Sequence, residues 1–477
     1  MSTFRLVAKN MGFLLTSRIA TKVISFFTLL YIARYLGPGD FGKFSFVFSF
    51  IYFFGFIPDF GIHNILVREA AKEPENAGKL IGNATILQTF LSLIAFLLAL
   101  FAINIIDYPV STKNALYIAS FGLLITSISA FSIIYEVNLR MEYTVLFSVT
   151  SRLIFFVLAV IATLKNLTLN AFVLASVVAD FVHNFLTVLF SKKLIKPNFN
   201  LQVNLMKMIL REALPMAVAS VFTMIYFRID VVMLSFLKDD TAVGLYSAAY
   251  RLTEAFIFIS SAFMTSIFPL MSKYYKNSFE LFTFIYAKSF KYLFALGLVL
   301  AMAVTFFSKE IVFNIYGSEY QGSVIVLKIL IWATAIMFVN NLISITYISS
   351  GNQKIIAKVT AFAAILNSLL NLILIPSLSY AGAAATTLFT ELFVMLFGIY
   401  WIKRNLLHEV MYRETIFLFV GMLISSASFV LLRLYINEIF SCLLSLIVFI
   451  SILYISGWVD ADDRRILMKT IRLNSKI

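Results

Sequence analysis

The 477-residue chain is 61% hydrophobic and only 13% charged, contains 51 Phe, and has a mean hydropathy of +0.94. An ordinary soluble domain carries about 25% charged residues, so one water-soluble core is excluded and the surrounding solvent is lipid. A formal net charge of +14 would suit nucleic acid, but Lys and Arg concentrate in the segments on the N-terminal side of the membrane, which instead predicts a multi-pass cell-membrane protein with both termini cytoplasmic.

A spanning helix needs about 20 mostly apolar residues. Such runs fall at 11–36, 41–67, 79–104, 114–138, 143–164, 168–191, 209–237, 241–271, 281–308, 320–349, 355–376, 379–402, 412–434 and 439–458, which predicts an all-α polytopic protein of about fourteen helices. The first run carries Arg18 and Lys22 and lacks a small-residue cleavage pattern, so it reads as a retained helix rather than a signal peptide. One cysteine, Cys442, rules out an intramolecular disulfide. The densest basic stretches, beginning at 191 and 462, then face anionic inner-leaflet lipid, or serve only as topology signals.

Ionisable side chains at spanning depth are costly, and they mark function or helix-to-helix pairing. Arg18 and Lys22 share one face of the first helix at i,i+4, and Asp59 and His63 repeat that spacing on the second. These four read as an ion-paired staple, or else Arg18 and Lys22 are phosphate contacts or an inner gate, with Asp59 as the partner they exchange for substrate. Arg152 on the fifth run and Arg251 and Glu254 on the eighth lie near mid-depth, as cavity lining or interhelical pairs, while on the seventh, which also carries Asp230, Arg228 lies above the midplane, toward the outside. Arg228 and Asp230, two apart, point in different directions. Lys288 and Lys291 open the ninth run, where snorkelling to head groups is expected. Asp180, with His183 one turn on, and Glu391 occupy the sixth and twelfth runs. A carboxyl in low dielectric holds a proton more readily than one in water, so either can couple an ion to a cycle, or simply fix helices through hydrogen bonds. Pro58, Pro215, Pro269 and Pro376 lie in or at the ends of helices, where a missing backbone bond permits bending.

The chain also repeats itself. "YIARYLGPGDFGKFSF" at 31–46 and "MLSFLKDDTAVGLYSA" at 233–248 both end an apolar run, turn, and open the next run with Gly and an aromatic. A shift of 202 places Gly42 on Gly244 and Phe44 on Tyr246; a second match, shifted by 211, aligns Asp180 and Lys192 with Glu391 and Lys403. Two parallel six-helix halves follow, 1–195 and 205–404, with two further helices and a basic cytoplasmic tail in 405–477. In such repeats a substrate site lies between the halves.

These segments, with "PDFGIHNILVREAAKEPENAGK" and "GNQKIIAKVTAFAAILNSLLNLILIPSLSYAGAAATTLFTEL", resemble the oligosaccharide flippases of the multidrug/oligosaccharidyl-lipid/polysaccharide superfamily over about 10–405. The resemblance implies a MATE-like fold of two six-helix lobes, alternating access, and carriage of a sugar chain on a polyprenyl phosphate or pyrophosphate. A hydrated cationic path for the phosphate would then be lined by Arg18, Lys22, Arg152, Arg228 and Arg251, with Asp59, His63, Asp180, Asp230, Glu254 and Glu391 as gating or ion-coupling candidates for H+ or Na+. Glycan-assembly enzymes are candidate partners, and nucleic acid is not. The alternative within the superfamily is a cation-coupled multidrug antiporter, which would want an acidic, aromatic cavity; the basic core argues against it. A glycan-assembly enzyme is the weaker class, since no external segment is long enough to hold sugar for chemistry. A GxxxxGK loop is lacking, and His63, His183, His408 and Cys442 lack metal-ligand spacing, so neither ATP hydrolysis nor a cofactor is expected.

Overall fold

The computed structural model describes residues 3–407, 414–458 and 463, with side chains described from Ile19 onward except at 74, 414–416 and 419. Among the described residues every regular element is helical, and eleven helices are long and apolar enough to cross a membrane. The first of these is double. Gly37, at φ 69°, takes a left-handed conformation that favours glycine and breaks it into α1 (3–36) and α2 (38–59), the latter resumed by Ile62–Lys72. Pro38 follows at the first turn of α2, where its missing N–H costs nothing.

There follow α3 (Ala77–Ile105), α4 (Val110–Val137, tightening to a 3-10 turn over Thr126–Ser132), α5 (Met141–Leu164), α6 (Leu169–Ser191), α7 (Val203–Leu237), α8 (Asp240–Asn277), α9 (Phe279–Phe306) and α10 (Ser323–Ser349). A second double helix, Gln353–Asn405, breaks at Ser379 (φ 51°) into α11 (353–378) and α12 (380–405). The last two are α13 (Glu414–Leu432) and α14 (Glu438–Ile455). Counting both double helices as pairs and adding α13 gives about fourteen spans, in agreement with the hydropathy reading. Pro215, Pro269 and Pro376 all lie inside helices. Pro58 stands just before the bend at Phe60 (φ 42°) and Gly61 (φ 76°). That bend separates Asp59 from His63, so their expected alignment on one helical face is lost.

The chain forms two compact units: Met1–Arg251 with Phe313–Ser323 and Ala357–Thr386, and Leu252–Val312 with Val324–Ile356 and Thr387–Ile477. Within the first, Ile62, Ile65 and Leu66 pack with Leu80, Ile81 and Ala84 of α3 and Ile209 and Ala213 of α7. Its tightest joint lies between the two repeated turns. A Cβ on Gly42 would stand 1.7 Å from the Asp240 carbonyl oxygen, and one on Gly244 1.8 Å from that of Pro38. Each glycine meets the residue 202 positions from its counterpart's neighbour, so the contact is reciprocal. In lipid, where apolar surface gains little by association, such backbone-to-backbone approach is a main source of helix cohesion.

The segment joining α6 to α7 is docked rather than merely laid on lipid. The Asn198 N–H donates to the Gly78 carbonyl (2.8 Å), Asn83 donates to the Asn200 carbonyl (3.1 Å), and the Gln202 N–H donates to Asn83 (2.7 Å). Gly78 and Gly82 make room for it: a Cβ on Gly82 would lie 1.9 Å from the Asn198 oxygen.

In the second unit, Phe282, Tyr286, Phe290 and Phe294 of α9 build the core with Phe338 and Leu342 of α10 and Phe449 of α14. Lys288 and Lys291 do not snorkel. Both bind Asp463, at 2.6 and 2.7 Å, and Tyr292 donates to the same carboxylate. Lys291 also lies 4.6 Å from the centre of the Trp458 ring. Lys291 and Asp463 are buried, and a buried ammonium needs such a partner. Local sequence hid that partner, which lies 172 residues away. The rest of the basic tail lies outside the described residues.

Candidate functional site

Within the first unit the polar centre gathers on α7. Asp230 is buried at 3% exposure, accepts from the Tyr246 hydroxyl of α8 (2.7 Å) and accepts from Asn371 Nδ2 of α11 (2.6 Å). Asn371 also donates to Asn367 Oδ1, one turn earlier (2.9 Å). Asn371 Oδ1 is itself buried without a hydrogen-bond partner. A carboxylate beside an unsatisfied carbonyl oxygen is an oxygen-rich nook that suits a small cation or a shared proton.

Arg228, two residues before, turns elsewhere: its guanidinium carbon lies 5.8 Å from the centre of the Tyr52 ring on α2, within cation–π range. α2 follows α7 at several levels. Phe46 meets Phe236 edge-on at 5.9 Å, Gly61 sits against Ala213 and Met216, and Arg68 pairs with Glu212 as well as Glu69. Tyr108, between α3 and α4, stacks on Phe46 at 4.8 Å and shares a short hydrogen bond with Ser235. Burial pushes its phenol up to about 12.

The other expected site residues are distributed as follows. Arg152 of α5 lies 3.8 Å from Asp180 of α6, an interhelical pair with both side chains partly exposed. His63 lies 3.3 Å from Glu136, an acid the sequence reading passed over. Lys22 and Asp59 are exposed, and the Arg18 side chain lies outside the described residues. Arg251 and Glu254 are half-buried on α8. In the second unit Glu391 is buried and accepts from Asn340 Nδ2 (2.7 Å), whose Oδ1 is left unsatisfied. The repeat-matched acids Asp180 and Glu391 thus have different partners, an arginine and an amide.

Sequence reasoning missed Tyr246 as a donor and Asn340, Asn367 and Asn371 altogether. One signal was available: Asn367 and Asn371 stand at i,i+4 in an otherwise apolar run.

The polysaccharide biosynthesis protein family matches residues 7–275, more than half of the chain, and the MatE family matches 215–373. The probable low-salt glycan biosynthesis flippase of Haloferax volcanii is 28% identical over 171 residues, covering 36% of each chain. The chain spans between about a third and a half of the length of the curated relatives it matches. Among solved structures, the lipid II flippase MurJ in an inward closed conformation superposes with a TM-score of 0.77 at 16% identity, over 93% of this chain and 99% of that one. An inward-facing multidrug resistance MATE transporter of the MOP superfamily gives 0.65 at 15% identity, over 80% and 95%.

Proposed function

We propose, from the premise that this chain belongs to the polysaccharide biosynthesis protein family, that it flips a lipid-linked oligosaccharide across the cytoplasmic membrane by alternating access. The family match over 7–275 carries the reading. The geometry supports it: one helix, α7, presents a cation, Arg228, and a buried carboxylate, Asp230, on different sides. The sugar phosphate is anionic and cannot enter hydrocarbon unaided, while its polyprenyl tail stays in lipid. Arginine suits phosphate because its planar fork makes two parallel hydrogen bonds. Arg18, Lys22, Arg152, Arg228 and Arg251 would serve the head group in turn.

Asp230 with Tyr246 and Asn371 would exchange H+ or Na+ as the halves 1–195 and 205–404 rock about their shared axis, both termini staying cytoplasmic. Glu391 with Asn340 is a second candidate for that exchange. Glycan-assembly enzymes would supply and consume the carried lipid.

The full chain in proteoliposomes should move a polyprenyl-pyrophosphate oligosaccharide to the opposite leaflet, read by its accessibility to an added glycosidase. Absence of movement under both a proton and a sodium gradient, together with export of cationic dyes, would establish the second reading. That reading, a cation-coupled drug antiporter, is favoured by the MatE match over 215–373.

A further inference from the structure

The segment joining α9 to α10 holds a short helix, Ser308–Ile315, and a 3-10 turn, Ser318–Tyr320. Its residues 313–323 belong to the first unit, where they lie beside the reciprocal glycine joint. Tyr320 donates to the Ala33 carbonyl in the last turn of α1 (2.7 Å). Tyr316 donates to the Ala248 carbonyl (3.0 Å) and Ser323 to the Leu245 carbonyl (2.7 Å), both in the first turns of α8. The two tyrosine rings are buried and stand 5.0 Å apart. Glu319 comes within 3.2 Å of where a Cβ on Gly37 would stand. Burial pushes both phenols upward, so they remain donors throughout the physiological range.

One segment thus grips α1, which leads into the first of the two turns, and α8, which leaves the second. The grip is releasable. The Leu245 and Ala248 carbonyls lie inside α8 and already accept helical bonds, so letting go strands neither; the Ala33 carbonyl, in the last turn of α1, and the freed hydroxyls pass to water.

We infer that residues 313–323 are a clasp that holds this face of the protein shut and must release each time it opens. The inference rests on the alternating-access reading above, which requires the face bearing the two turns to part.

The test uses the full chain in membrane vesicles with Cys442→Ser and a reporter, Ser247→Cys. Ser247 is buried on α8, three residues past Gly244. The probe is a membrane-impermeant maleimide, and labelling of residue 247 is read by mass spectrometry. Tyr316→Phe with Tyr320→Phe keeps both rings and removes two hydrogen bonds, and should speed labelling about tenfold or more. Gly39→Cys with Thr241→Cys, whose side chains fall about 3.8 Å apart by the Gly39 Cβ position, should slow labelling when oxidised and recover it on reduction.

If the cross-link slows labelling but the double Phe variant labels at the parental rate, the face opens and 313–323 is not its clasp. If the cross-link changes neither labelling nor transport, the face never parts, and the carrier reading falls with the inference. Should the double variant fail to accumulate, Tyr320→Phe alone, which removes the bond to α1, must still speed labelling about threefold, or the clasp is overturned.

Discussion

Asp230 has a phenol and an amide where water would otherwise solvate it. Hydrogen bonds to a charged group are worth about 1.5–3 kcal/mol each, so Tyr246→Phe should lower transport roughly ten- to hundredfold if Asp230 works as an ion. A purely structural carboxylate would show the same energy as lost thermal stability, with the dependence of transport on cation concentration unchanged. A sodium and proton titration of Tyr246→Phe beside Asp230→Asn distinguishes the two. Arg18 allows a second discrimination. Arg18→Gln should abolish glycan export at normal protein level if it binds phosphate, and Arg18→Lys should restore it only partly, since the fork is gone. Were Arg18 merely paired with Asp59, Arg18→Gln with Asp59→Asn would recover export, because the stranded charge was the only damage.

Among the elements, the α6–α7 connection makes the clearest prediction. Gly82→Ala puts a methyl into the Asn198 carbonyl, so the segment must lift from α3. Trypsin acting on inside-out vesicles should then cut at Lys192, Lys193 or Lys196 several-fold faster than in the parent, while cleavage elsewhere stays unchanged. Equal rates would mean that α3 yields instead. This docking was not legible beforehand: basic residues dominate the stretch, and its fastening is made by backbone groups and two glycines. The helices themselves were legible, because a fixed membrane thickness makes length and hydropathy sufficient. Their breaks were only partly so. "LGPG" announces the stop at Gly37, whereas Ser379 turns without a glycine. The partners of buried charges were least legible, since Asn371 meets Asp230 across 141 residues and Asp463 meets Lys291 across 172.

For the whole molecule, the charge bias predicts an orientation that is directly testable. Thr3→Cys or Ser475→Cys, in a Cys442→Ser background, should resist an impermeant maleimide in intact cells and react in inside-out vesicles. External labelling of either would overturn the cytoplasmic placement of both ends. An even number of spans is what such a result requires.

Gly42 and Gly244 each carry the other's contact in mirrored form. Two identical subunits meeting about a two-fold axis make every contact twice, so in an ancestral pair of six-helix proteins a single codon would have supplied both sides of this joint. In a single chain the joint is encoded twice and has two independent ways to fail, because an alanine at Gly42 or at Gly244 obstructs it. A duplication origin of the two halves would have freed the rest of each to differ, as Phe44 and Tyr246 do, and doubled the mutational target at this one point.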